Sequence, residues 1–376
     1  MPTSRRDFLR LSAGMSGALG AGLIRPWPAR PTRPVAKANR AMRLLILGGT
    51  GFIGPHQVRY ALERGHTVTL FNRGRTNPGL FPTVEHLGGD RNDNLSALEG
   101  REWDAVIDNS ASVPRWVRQS AGLLKDSVRQ YLFVSSISVF SDFSIVGLDE
   151  NGPLHALEDP TVEQVTGETY GGMKALCEWE AEQALPGRAT VVRPGLIAGP
   201  GDPTNRFTYW PVRIDEGGEV MAPGEHGDPV QFIDARDLSE WMVRLAEDEH
   251  VGIYNATGPG TPLSMAEMLY GIRAATASPV TFTWVDAEFL QQQDVRPWQH
   301  MTVWFPPRGE MAGFASVNCS KAIADGLTFR PLAVTAGDTM HWYKGLPDDH
   351  RARHTQFGLP REREREVLAA WHARGR

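Results

Sequence analysis

The sequence is poor in cysteine: Cys177 and Cys319 are the only two thiols in 376 residues. One pair closes at most one disulfide, so neither a disulfide framework nor a Cys-rich zinc site is possible. The eleven histidines are mostly far apart in sequence, so no metal is expected. The uncharged stretch Leu11–Ile24 is shorter than the roughly 20 residues a membrane-spanning helix needs and is rich in Gly, Ser and Ala. No internal repeat is visible. The net charge of −5 shows no basic excess, which argues against non-specific nucleic-acid binding. With 41% hydrophobic residues the chain can build a core, and at roughly 150 residues per domain its length allows two domains.

The first forty residues read as a leader. Arg5-Arg6 followed by Asp7, Phe8 and Leu9 resembles a twin-arginine (Tat) export signal; the apolar stretch follows, and Ala36-Lys37-Ala38 supplies a small-x-small cleavage site. Cleavage is expected near Asn39, with a periplasmic or extracellular location and no stable membrane insertion; without a working leader the protein is cytoplasmic. Residues 1–38 hold seven basic side chains against one acid, so the remaining chain is more acidic than the whole.

From Met42 short apolar runs alternate with amphipathic stretches: RLLILGG, FIGPHQVRYALERG, HTVTLFN, then VEHLGGD, WDAVIDNSA, QYLFVSSISVF and ATVVRPG. Strands with no polar face separated by helix-length segments predict an α/β fold, a Rossmann-type doubly wound parallel sheet with a smaller C-terminal α/β substrate domain. The expected parts are 1–38 signal, 42–194 main dinucleotide domain, 195–230 substrate segment, 231–258 return to the sheet, 259–347 substrate domain and 348–376 charged surface helix. Ligands of such sheets bind at the carboxyl ends of the strands.

Gly48, Gly51 and Gly54, within GGTGFIG, follow a strand and open a helix. This spacing gives a tight turn, backbone close to a pyrophosphate and free N–H groups at a helix N-terminus, so Thr50, Phe52 and Ile53 join the glycines as dinucleotide contacts. The second strand ends in Asn72-Arg73-Gly74-Arg75 rather than in an acid. Arginine can pair with a 2′-phosphate, which leans toward NADP over NAD; alternatively Arg73 stacks on adenine and Asn72 bonds the ribose. Asp90 and Arg91 follow the third strand, and Asn109-Ser110 ends the fourth; each is a candidate cofactor contact or a turn residue.

Tyr170 and Lys174 share one helix face at i and i+4. A lysine ammonium near a phenol stabilises phenolate and brings an otherwise weak base into range. Ser136 in FVSSIS is placed to orient a hydroxyl against that tyrosine. Asn205, Arg206, Tyr209, Trp210, Gln231, Arg236, Trp298 and Trp304 are candidate substrate contacts, with aromatic faces for sugar C–H groups; for the tryptophans core packing competes, and for Arg236 an ion pair with Asp234 or Asp237.

GGTGFIG, GGDRND, FVSSISVF, YGGMK, VVRPGLIAGPGD, VQFIDARDL and GIYNATGP occur in the order of the extended short-chain dehydrogenases/reductases of the NAD-dependent epimerase/dehydratase type, which the chain resembles from Met42 to Tyr343. The resemblance implies an enzyme with Ser136, Tyr170 and Lys174 as the catalytic triad. It also implies Lys174 on the nicotinamide ribose, Arg193-Pro194-Gly195 closing the nicotinamide pocket, and hydride transfer at a sugar-like or polyol hydroxyl. An exported protein would keep its NAD(P) tightly bound, favouring epimerisation. The expected partners are a small molecule and the Tat machinery, with a homodimer possible. A non-catalytic dinucleotide-binding or RNA-binding role is the alternative, since LFNRG also resembles plastid stem-loop RNA-binding proteins.

Overall fold

The computed structural model describes residues 35–109, 111–348, 351 and 357–374. Residues 1–34 of the leader expected over 1–38, and Ser110, lie outside the described residues. Seven parallel strands form the main sheet: β1 (Arg43–Leu47), β2 (Thr67–Asn72), β3 (Glu85–Gly88), β4 (Ala105–Asp108), β5 (Gln130–Val134), β6 (Ala189–Pro194) and β11 (Gly252–Ala256), in the order β11-β6-β5-β4-β1-β2-β3. Strand order reverses between β1 and β4, where a crevice opens at the carboxyl edge.

Alternate residues of each strand serve opposite faces, which is why the central strands β1 and β5 are mostly apolar on both. Leu44 and Ile46 pack under α1 (Gly54–Arg64) and α5 (Ala235–Glu247) with Val58, Leu238 and Trp241. Leu45 and Leu47 pack under α2 (Pro114–Leu124) and α3 (Tyr170–Ala184) with Val117, Ala121 and Cys177. The doubly wound sheet is therefore the observed fold. Both cysteines are buried free thiols.

The second core lies around α4 (Tyr209–Asp215), α6 (Met265–Arg273) and α7 (Ala287–Gln292), with three small sheets: β7 (Ile197–Ala198) with β10 (Ile233–Asp234), β8 (Gly218–Pro223) with β13 (Val280–Val285), and β9 (Pro229–Val230) with β12 (Leu263–Ser264). Helices α8 (Ser320–Ala324) and α9 (Leu332–Lys344) follow. Helix α10 (Arg361–Ala373) is not merely a surface element. Val367 and Leu368 enter this second core, and buried Glu364 accepts from Arg213 Nε at 2.6 Å and from the Met221 amide at 3.0 Å.

At the amino edge of the main sheet, away from the strand ends that form the crevice, Glu247 closes α5 onto α1 and β2. It accepts from Arg64 Nε at 2.8 Å and meets His66 Nε2 at 2.7 Å. The Met42 amide donates to His66 Nδ1 at 3.2 Å, so the ring proton belongs on Nε2. These partners hold the Glu247 carboxyl down at about 2 against the cost of burial. A depressed carboxyl contributes stability above its unfolded pKa, near 4.5, that disappears as pH falls toward 2. Glu247→Gln should cost about 1–3 kcal/mol at neutral pH. Denaturant titrations of both proteins should show this gap closing between pH 4.5 and 2.

Candidate active site

The loop after β1 carries the first half of the site. Gly48 and Gly49 have φ of 106° and 84°, a region that L side chains rarely enter. A Cβ on Gly54 would lie 2.4 Å from Gly49 Cα, so only glycine lets α1 start against the loop. No side chain caps the N-terminus of α1, which leaves its N–H groups to a ligand. Asn109, at the end of β4, is locked to α1 by two bonds with Gln57, at 2.6 and 3.0 Å.

Helix α3 carries the second half. A Cβ on Gly171 would stand 2.2 Å from the Ser138 carbonyl oxygen, so glycine lets the first turn of α3 press against the segment after β5. Tyr170 is thereby set beside Ser136. The Lys174 ammonium donates to the carbonyls of Val134 and Ala111, both at 2.7 Å, and lies 4.6 Å from the Phe133 ring centre. These groups line one cleft of about 560 Å³, running from Gly48, Gly51 and Phe52 past Asn109, Ser136, Tyr170 and Lys174 to Gly195, Arg206 and Trp298. A second cavity of about 480 Å³ shares Ser138 and Tyr170 and extends to His155 and Thr166.

The electrostatics differ from the sequence expectation. Burial raises the Tyr170 phenol above its ordinary value, opposed by the Ser136 hydroxyl and by the Arg206 charge. The Lys174 ammonium is committed to two carbonyls, and burial lowers it to about 8. Cys177, on the next turn, is pushed up to about 12 by burial and stays a thiol.

Several expected contacts serve the scaffold instead. Arg193 is buried and gives Glu178 two bonds, at 2.9 and 2.6 Å, so its side chain does not line the cleft as the expected pocket-closing group. Arg91 is tied to buried Asp108 at 2.7 Å. Asp90 accepts from the Asn92 amide at 3.0 Å in a turn. Asn72 binds the Gly48 carbonyl at 2.9 Å and accepts from the Gly74 amide at 2.8 Å, so it braces the loop. Trp210 is fully buried with Nε1 on the Thr302 carbonyl, and Trp304 gives Nε1 to Asp228; Tyr209 is buried beside Trp210. Gln231 pairs with the Val317 backbone through both ends of its amide. Arg236 is bonded to Asp234 and Asp338. Asn205, at φ 62°, forms the turn into α4, its carbonyl accepting from Tyr209. Arg73 and Arg75 are exposed at the end of β2 with no hydrogen bond or ion pair to the described residues.

The cleft also contains Ser112, Asp202, Thr204 and Phe314, which the sequence did not single out. They lie in irregular segments, where no periodicity marks a face.

A model of the NAD dependent epimerase/dehydratase family matches residues 44–257. The chain is 26% identical over 258 residues to the epimerase family protein SDR39U1 of Bos taurus, covering 63% of this chain and 82% of that protein. It is 26% identical over 246 residues to the chloroplast stem-loop binding protein of 41 kDa b of Arabidopsis thaliana, covering 59% and 60% respectively. Among solved structures it resembles the Bordetella bronchiseptica enzyme WbmG in complex with NAD and UDP. The TM-score is 0.60 at 15% identity, over 85% of this chain and 98% of that one.

The glycine geometry gives a paired test. Gly171→Ala should destabilise by about 1–3 kcal/mol, because the new methyl meets a backbone carbonyl that cannot swing aside. Gly122→Ala, on α2 with nothing within 4 Å of the added carbon, should stabilise by about 0.5–1 kcal/mol. Thermal melts of both variants check the opposite signs.

Proposed function

The chain belongs to the NAD dependent epimerase/dehydratase family, and from that premise we propose that it interconverts an alcohol and a carbonyl on a sugar-like or polyol substrate, with Tyr170 moving the hydroxyl proton. The observation that carries this reading is the convergence of the glycine loop, Ser136, Tyr170 and Lys174 on one cleft at the reversal of strand order. A bound nicotinamide dinucleotide supplies the hydride acceptor and donor.

The residues present fit such a cofactor. The cradle by Gly54 would be filled by a Cβ, and the uncapped start of α1 faces the cleft with N–H groups suited to phosphate oxygens. Lys174 spends two of its three N–H groups on carbonyls and keeps one for a ribose hydroxyl. Ser136 orients the substrate oxygen. Tyr170 rests protonated, so it gives a proton in the reductive direction directly. In the oxidative direction its phenolate is supported by Ser136 and by the charge of Arg206. In this reading 42–194 and 231–258 hold the cofactor, and 195–230 with 259–347 hold the substrate. Joined to the leader expected over 1–38, it has the cofactor bound before export and retained through turnover.

Tyr170→Phe should lower the rate by roughly 10²–10⁴-fold while leaving dinucleotide binding intact. The assay follows the absorbance of reduced nicotinamide against a panel of sugars and polyols; undiminished turnover in the variant would remove the acid/base assignment.

The exposed Arg73 and Arg75 support NADP as the cofactor, since nothing in the described structure competes for their charge. Mass spectrometry of the dinucleotide released on denaturation should find NADP in the native protein. Arg73→Glu should shift binding toward NAD by roughly tenfold or more. Equal retention of both dinucleotides before and after the substitution would take Arg73 out of cofactor choice.

A further inference from the structure

Most buried arginines of this chain are matched to carboxylates: Arg193 to Glu178, Arg213 to Glu364, Arg236 to Asp234, and Arg330 to Asp234, Asp237 and Glu240. Arg206 is not. It is half-buried in the cleft wall, its Nε donates to Thr204 Oγ1 at 3.1 Å, and its guanidinium lies 5.3 Å from the Trp298 ring centre and 5.6 Å from that of Phe357. Among the described residues no carboxylate stands within ion-pair distance of it, and its two Nη groups make no hydrogen bond. Asp202 is the nearby acid that favours its charge, but Asp202 Oδ1 is taken by the amide and hydroxyl of Thr204 at 2.8 and 2.7 Å. A guanidinium tethered at Nε, held between aromatic faces and open at both Nη atoms is a preorganised fork for a planar oxyanion. Burial without a matched acid also pulls its pKa below the ordinary arginine value, so the fork gains most from an anion brought to it.

We propose that the substrate is a hydroxy acid, a sugar-like or polyol chain whose single carboxylate pairs with the Nη groups of Arg206 while one of its hydroxyls meets Tyr170. This rests on the reading of the cleft given above and names its substrate class. A carboxylate fits better than a diphosphate because, among the described residues, Lys174 is the only other cation lining the cleft and is largely spent on backbone, while Asp202 adds a negative charge to the same wall. Trp298 and Phe314 give the carbon chain flat apolar walls. The Arg206 charge acts on the Tyr170 phenol, so an anion held at the fork sits within electrostatic reach of the reacting hydroxyl.

The test is calorimetric binding to the full chain saturated with added NAD and NADP, using D-galacturonate, D-galactose and D-galactose-6-phosphate as matched probes. Galacturonate should bind at least roughly tenfold more tightly than galactose. Arg206→Gln should abolish that preference, and Arg206→Lys, which keeps the charge but loses the fork, should retain part of it. Circular dichroism and thermal melts confirm that the variants are folded. Equal binding of acid and neutral sugar, a preference that survives Arg206→Gln, tighter binding of the phosphate than of the acid, or no binding of either anion each overturns the proposal. An absorbance assay of reduced nicotinamide on the unsubstituted protein separates the two readings: an acid preference in binding with no probe oxidised there leaves the fork standing and the hydride-transfer reading fallen.

Discussion

The buried ammonium of Lys174 is the contact on which the site's arrangement depends. Taking a charge out of water costs several kcal/mol unless other groups replace its hydration. Here the Val134 and Ala111 carbonyls and the Phe133 ring do so. Both carbonyls belong to chain leaving the carboxyl edge of the sheet, one ending β5 and one following β4. The residual cost appears as the lowered pKa, and the two bonds hold α3 with Lys174 over those strand ends. Tyr170, one turn earlier, is then carried to the mouth of the cleft.

The rest of α3 reinforces that docking with small residues and a second buried charge pair. Gly171 admits the Ser138 carbonyl and Gly172 the Leu157 side chain, so the helix approaches closer than any Cβ would allow. Further along, Glu178 accepts from Ser135 at 2.5 Å and from both arms of Arg193, fastening α3 to the ends of β5 and β6. Removing one partner of such a buried pair typically leaves an uncompensated charge and costs about 3–5 kcal/mol. Arg193 therefore acts on the cleft through the backbone it fixes.

Features governed by local spacing were legible in the sequence. The apolar strands, the glycine loop between β1 and α1, and the i, i+4 relation of Tyr170 and Lys174 each follow from a period or a steric need within a few residues. What escaped is the choice of partner across the fold. Arg193 finds Glu178 on another element, Trp210 finds the Thr302 carbonyl, Gln231 finds Val317 and Arg236 finds Asp338; a polar residue after a strand looks the same in sequence whether it faces ligand or scaffold. Arg206 and Trp298 were expected as substrate contacts and do line the cleft, but that Arg206 shares it with Tyr170 follows only from tertiary packing. Ser112, Thr204 and Phe314 sit in irregular chain with no pattern to mark them.

The two cations of the cleft divide their work. Lys174 is held by backbone and contributes position, whereas Arg206 contributes a field that opposes the burial of the Tyr170 phenol. An anion seated on Arg206 would offset that field, and the phenol would move further toward its protonated form. A carboxylate-bearing substrate would thus bias Tyr170 toward donating its proton, which is the role needed when a carbonyl is reduced. Once the acid leaves, the guanidinium charge again opposes the burial that keeps the phenol protonated. With the proposed carboxylate seated at Arg206, substrate charge and proton position would be coupled through one arginine of the cleft wall.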